Sequence, residues 1–227
     1  MRIRGKFTKL GAIKYVGHLD TVRLFQRAIK MAHIPVAYSE GFNPHSKVYF
    51  AMPLSVGVSS EGEYIEIKTT KDIDLDETTN SLNSVLPEGI KMEKFVEVEQ
   101  QMPTLMSQVD RADYVLTLEA PTSPEISELE ENLNQDTLII RKRNKKNKWS
   151  EVDIKPLIIN YHIEKNEEQI IINTQIKTGS KANLSPELLL RAICPNHFDT
   201  LVYDIHRKEL YNEQEEEVTP LKDCVNV

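Results

Sequence analysis

Cysteine is scarce in this 227-residue chain: Cys194 and Cys224 are the only two, and neither falls in a CxxC or Cys/His spacing. A disulfide framework and a cysteine zinc site are thereby excluded, and no three-cysteine cluster motif can be assembled. Glycine is sparse too, eight residues scattered so that neither GxxxxGK(S/T) nor GxGxxG occurs; HExxH and GxSxG are also missing. No run approaches the ~18 consecutive apolar residues of a membrane span. The opening Met1-Arg2-Ile3-Arg4-Gly5-Lys6-Phe7 has no apolar stretch behind its charges that could serve as a secretory signal. These absences predict a cytoplasmic protein with no membrane partner and no metal site.

What is present is charge, and it is unevenly distributed. The formal net charge is −7, yet residues 1–60 hold nine basic residues against two acids, +7, which leaves −14 for the rest. A second basic block, Arg141-Lys142-Arg143-Asn144-Lys145-Lys146-Asn147-Lys148, carries six positive charges in eight positions. Such segregation is the footprint of phosphate contacts, because each Lys or Arg that neutralises a phosphate releases a counterion. A block like 141–148 also arises as the solvated tip of a hairpin.

Hydrophobic periodicity predicts two similar halves. Residues 2–8 alternate, Ile3, Gly5 and Phe7 on one face and Arg2, Arg4 and Lys6 on the other, a strand whose basic face lies outside the core. A helix follows Gly17, with Leu19, Val22, Phe25, Ile29 and Ala32 inward, Arg23, Arg27 and Lys30 as an outward stripe, and Pro35 closing it. Strands are expected at 48–52, 61–69 and 90–98, with a helix opened by the capping box Asp74-x-x-Glu77 and running to Leu86. A linker at 100–104 precedes a second β-α-β-β-α-β order: strands at 109–118, 137–143, 156–163, 169–177 and 199–209, and helices opened by Ser123-Pro124 and Ser185-Pro186. The predicted class is α+β, two tandem ferredoxin-like units with antiparallel sheets, at 1–100 and 105–211, followed by an acidic tail, 212–227, expected to fray.

Three constellations could carry chemistry. His18-x-Asp20 opens the first helix and His45 lies in a loop that could fold back beside it. The three are the catalytic candidates, for acid–base cleavage of RNA by a histidine pair. In the alternative, His18 and Asp20 cap the helix and Asn43-Pro44 organises a turn. The loop 38–47 interleaves Tyr38, Phe42 and nearby Tyr49 with Asn43, His45 and Lys47, the composition either of core aromatics or of a surface that stacks bases and grips phosphates. Arg141, Arg143 and Lys145 of the second block join the Arg23/Arg27/Lys30 stripe as candidate RNA contacts. Cys194 reads as a small buried hydrophobe.

Runs of residues then point to a family. Residues 17–28 (GHLDTVRLFQRA), 34–45 (IPVAYSEGFNPH) and 50–57 (FAMPLSVG) through Ser60-x-x-Glu63 resemble the radical SAM-linked protein family. The resemblance is dense over residues 1–67; the second half contributes only 184–189 (LSPELL), similar to the family's late Pro-Glu-x-Leu helix start. Members of that family occur fused to a radical SAM protein or as stand-alone chains. Since the CxxxCxxC motif is missing here, the resemblance implies that the iron–sulfur cluster and S-adenosylmethionine belong to a partner and that this chain holds no cofactor.

Charge, loop and resemblance together predict an RNA-binding or substrate-presenting accessory protein that partners a radical SAM enzyme on tRNA or rRNA, without DNA specificity and without independent enzymatic activity. One rival is a metal-independent endoribonuclease using His18 and His45. Another is a protein-interaction module whose basic face docks an acidic partner.

Overall fold

The computed structural model describes residues 1–143, 147, 149–214 and 217–220. Along the chain run β1 (Arg2–Lys9), α1 (His18–Met31), β2 (Val48–Phe50), β3 (Val58–Lys68), α2 (Leu75–Asn83), β4 (Ile90–Glu97) and β5 (Arg111–Glu119). There follow α3 (Ile126–Asn134), β6 (Ile139–Arg143), β7 (Trp149–Asp153), β8 (Ile158–Lys165), β9 (Gln169–Lys177), α4 (Pro186–Ile193), β10 (Tyr203–Gln214) and β11 (Glu217–Pro220). The class is α+β, with antiparallel registers. Two compact units divide the chain: one holds residues 1–110 together with the chain from Arg207 onward, the other Arg111–His206. No helix among the described residues is long and apolar enough to cross a membrane.

In the first unit the strand order is β4-β1-β3-β10, with β2 also on β3 and β11 on β10. One face of this sheet is apolar. Ile3 and Phe7 of β1 and Ile65 and Ile67 of β3 pack with Phe25 and Ile29 of α1 and Leu82 of α2. Each such fully buried side chain stabilises by about 1.5–3 kcal/mol. Phe7, Phe25 and Phe50 form a ring cluster, with centroids 4.8 Å apart for the first pair and 5.5 Å for Phe25 and Phe50. The buried stripe of α1 is Thr21, Phe25, Ala28 and Ile29, an i, i+4, i+7, i+8 spacing. Leu19, expected inward, is 69% exposed.

The opposite face of β1 overturns the sequence reading. Arg2 and Arg4 are buried, because β1 lies between β3 and β4 and a further segment folds over it. Both guanidiniums donate to Glu66 Oε2 at 2.8 Å, and Arg4 donates to Gln108 Oε1 at 2.6 Å. Arg2 also donates to the carbonyls of Glu99, Gln100 and Met102, and both arginines to that of Pro103. The stretch 100–104, expected as a linker, is thus fastened to β1. Lys9 is buried as well and donates to the Val16 carbonyl; burial pushes its ammonium below the usual lysine range, with Glu63 opposing. Four of the nine early cations, Lys6 with its partners Glu209 and Glu93 included, are therefore engaged internally.

β3 buries carboxylates on both faces. Glu63 Oε1 accepts from Arg207 Nε at 2.8 Å and from Nη2 at 2.6 Å, while Glu209 Oε1 accepts from the Tyr64 hydroxyl at 2.7 Å. Gly62 lets β10 approach: a Cβ there would sit 2.7 Å from the Glu209 Cα and the Lys208 carbonyl oxygen.

In the second unit the order is β5-β9-β8, and β6 pairs only with β7 as a separate hairpin. β6 was expected in the main sheet; β7 carried no signal in the sequence. Helix starts are mixed. Asp74 accepts from Glu77 N at 2.8 Å and Ser185 from Leu188 N at 3.2 Å, as the spacing predicted. α2, however, ends at Asn83, short of Leu86, and α3 is preceded by Glu125, two residues beyond Ser123, with no side-chain cap. Of the tail expected to fray, 212–214 and 217–220 are strand and pair with each other across β10 and β11; 215, 216 and 221–227 lie outside the described residues.

Candidate nucleic-acid interface

The N-cap of α1 is Gly17, whose carbonyl receives Thr21 N and Oγ1. His18 and Asp20 therefore do not cap the helix. Asp20 instead pairs with Arg23 across one turn at 2.9 Å, both side chains more than three-fifths exposed, an ion pair worth at most a few tenths of a kcal/mol. His18 turns inward and meets Phe50 edge-on at 5.7 Å. Burial pushes its pKa below the ordinary histidine value; Glu63 opposes the shift, and Lys9 and Arg207 add to it.

α1 ends in a Schellman motif. Ile34 N donates to the Ile29 carbonyl and His33 N to that of Lys30, with His33 at φ 54° where glycine is the usual residue. This left-handed turn sends the chain back along β3: Ala37 N bonds the Lys68 carbonyl, and Lys47 N bonds that of Ala37. Tyr38 and Ser46 then face each other in a bridge, and Ser39 and His45 close the loop twice, Ser39 N to the His45 carbonyl at 2.8 Å and His45 N to Ser39 Oγ at 2.9 Å. At its tip Phe42 stands wholly in solvent, beside Gly41 at φ 118°. Tyr38 and Tyr49 are about half exposed, so the loop aromatics are not core.

Arg23, Arg27 and Lys30 are exposed along α1, as the periodicity predicted, and Asn43 and His45 are exposed on the loop, with Lys47 half-buried. Lys30, at the C-terminal end of the stripe, and the loop meet at a cavity of about 440 Å³, which Arg23 and Arg27 do not line. Gln26, Lys30 and His33 line it from the helix side, and Tyr38, His45 and Ser46 from the loop side. Every one of those six side chains can donate a hydrogen bond. The Ser46 hydroxyl is buried there without a partner. A donor-rich concavity carrying a lysine suits an anionic oxygen cluster such as a phosphate. Gln26, His33 and Ser46 were not singled out in the sequence; the only local trace of His33 is its place between the end of a helical pattern and Pro35.

The two candidate catalytic histidines do not share this cavity. His18 lines another one, of about 630 Å³, and no hydrogen bond joins it to His45 among the described residues. Asp20 lines neither. Also among the described residues, no group of three or more His, Cys, Asp or Glu could hold a metal ion. In the second unit, Arg141 is exposed and faces Glu151 across the hairpin at 3.6 Å. Arg143 pairs with Trp149 in the β6–β7 register, and Lys145 lies outside the described residues.

Fold and site together define an α+β protein of antiparallel units whose first unit carries a cationic helix face beside an aromatic-tipped loop. The chain belongs to the family described as an uncharacterized protein conserved in bacteria (DUF2344), whose profile matches residues 2–186. No curated protein matches it. Among solved structures it is similar in fold to a chain of the Cbf5-Nop10-Gar1 complex, with a TM-score of 0.51, 10% identity and coverage of 94% of this chain and 50% of that one. Similarity extends to an H/ACA RNP bound to a substrate RNA containing 2'-deoxyuridine (TM-score 0.49, 10% identity, 99% and 52% covered). An archaeal box H/ACA sRNP Nop10-Cbf5 complex also matches (TM-score 0.45, 8% identity, 91% and 46% covered). The chain spans about half the length of the solved chains it matches.

Proposed function

We propose that the protein is an RNA-binding or substrate-presenting accessory protein that works with a radical SAM enzyme on tRNA or rRNA. The observation that carries the RNA half is the meeting of Lys30, from the α1 stripe, and the loop residues Tyr38, His45 and Ser46 on one donor-rich cavity, with the Phe42 ring of the same loop wholly exposed. Lysine and arginine supply phosphate affinity, and a solvated ring supplies a stacking platform for an unpaired base. Burial of Arg2, Arg4 and Lys9, and the pairing of Lys6 with Glu209, narrow the cationic surface of the first 60 residues toward α1 and the loop, which makes the contacts specific enough to test.

The radical SAM half rests on the resemblance of residues 17–63 to the radical SAM-linked family. A fold neighbour that is part of a Cbf5-Nop10-Gar1 complex supports a chain that assembles with partners. The reading takes the units as ferredoxin-like platforms; the β-α-β-β-α-β order of the first, with β1 between β3 and β4 and β2 on β3, supports it.

The test is binding of the full chain to total tRNA at two salt concentrations, with recovery of the RNA. Loss of three phosphate contacts in Arg23→Ala/Arg27→Ala/Lys30→Ala should flatten the slope of log K against log salt by about 2 for a single strand. Phe42→Ala should cost about 1–3 kcal/mol at unchanged slope. No binding at low salt, or a slope indifferent to the triple substitution, overturns the RNA reading, and trimmed RNA promotes the endoribonuclease.

A further inference from the structure

The second cavity of the first unit differs in character from the first. Its volume, about 630 Å³, lies within the range typical of small-molecule sites, ~300–1,000 Å³. The walls come from the N-terminal half of α1, from β2 and from the segment 100–106, and they are largely apolar: Val22, Val48, Tyr49, Pro53, Leu105 and Met106. Tyr49 and Met106 are about half exposed, so the wall they form is open to an incoming molecule. Here the GHLDTV and FAMP runs of the sequence, about 30 positions apart, supply residues of a single concavity: His18 and Val22 from the first, Phe50 and Pro53 from the second.

Its polar end consists of Arg2, Glu66 and Lys68. Glu66 is already engaged by Arg2 and Arg4. Lys68 enters no salt bridge among the described residues. The Arg2 side chain is 3% exposed, and although its terminal nitrogens are fully committed, its Nε–H has no partner. A buried donor of a charged group left unpaired is disfavoured by the desolvation it has undergone, and native structures rarely keep one without a use. The polar end of the cavity therefore holds an ammonium with no ion-pair partner among the described residues, beside the buried Arg2, whose Nε–H is unpaired.

We propose that this cavity binds a small organic monoanion with a flat apolar body, its ring system against Val22, Tyr49 and Met106 and its acid group toward Lys68, at the end of the cavity that Arg2 lines. Burial favours the neutral form of His18, which lines the same cavity. None of Arg23, Arg27 and Lys30 lines this cavity, so the inference stands independently of the RNA reading.

The experiment uses two probes that share a ring system: 8-anilinonaphthalene-1-sulfonate, a monoanion, and N-phenyl-1-naphthylamine, its uncharged counterpart. Each is titrated by fluorescence into the full chain, whose near-UV circular dichroism confirms the native state. Saturable one-to-one binding of both is expected. Lys68→Glu should weaken the sulfonate at least tenfold and the amine less than twofold, with Lys68→Met as the milder variant should the first fail to fold. Met106→Trp, which fills the open wall, should weaken both at least tenfold, and Arg23→Ala/Arg27→Ala/Lys30→Ala should change neither. Non-saturable binding overturns the proposal, as does a sulfonate affinity indifferent to the Lys68 variants, or affinities that follow the helix stripe and not Met106.

Discussion

Glu63→Gln removes the carboxylate charge that accepts from Nε and Nη2 of Arg207, a guanidinium that is 1% exposed. Breaking a buried pair in this way is destabilising by about 3–5 kcal/mol, whereas replacing both members with apolar side chains is often neutral. For a chain of this size each kcal/mol moves Tm by about 2–4 °C, so Glu63→Gln should lower Tm by roughly 6–20 °C. Arg207→Met should do much the same, because it strands Glu63. The double variant Glu63→Met/Arg207→Met should recover most of the loss, and the coupling from a four-member cycle in urea should be about 2 kcal/mol or more. A single variant that loses less than about 1 kcal/mol, or a double variant that loses the sum of the singles, refutes the reasoning. Either result would mean that water reaches the pair.

His33→Gly should raise stability by about 0.5–1 kcal/mol in urea unfolding, since glycine adopts φ 54° without the Cβ penalty; an unchanged midpoint would show that the turn holds no strain. For His18 the folded pKa lies below the unfolded one, so its contribution is fully present above about pH 6.5 and is lost as pH falls through the folded pKa. Unfolding curves from pH 7.5 to 5 should therefore fall more steeply for the wild type than for His18→Gln, and parallel curves would contradict the burial of the imidazole. Gly62→Ala should destabilise by about 1–3 kcal/mol, because the new methyl meets β10 backbone and not a movable side chain, and circular dichroism melting measures it. Cys194, whose thiol is pushed up to about 12 by burial and by Glu128, should resist a disulfide reagent at pH 8 in a Cys224→Ser background until urea unfolds the chain; prompt labelling of the native protein would refute that burial.

Local signals in the sequence were read well where the structure uses local bonds. The Asp74 and Ser185 starts are side-chain caps three residues long, and both are present. The outward stripe Arg23, Arg27 and Lys30 follows from helix period alone. What escaped was non-local. The period of β1 was legible, but the fate of its basic face depends on Glu66, more than 60 residues on, and on carbonyls about 100 residues on. Arginines on an alternating strand look solvated until the neighbouring strand supplies buried carboxylates. The site was half legible for the same reason: its residue types stood in the sequence, whereas the Schellman turn at His33 that brings Lys30 and His45 to one cavity is set by backbone geometry.

The pairing of Glu63 with Arg207 spans 144 residues, and the whole second unit lies between them. At a synthesis rate of about 5–20 residues per second, β3 leaves the ribosome roughly 7–29 s before its partner does. Throughout that interval β3 has an open edge and an unanswered carboxylate, so the first half of the chain is the first to be made and the last to be sealed. Its maturation is timed by translation of the intervening residues, and a pause within 111–206 prolongs the period in which a foreign strand can take the place of β10.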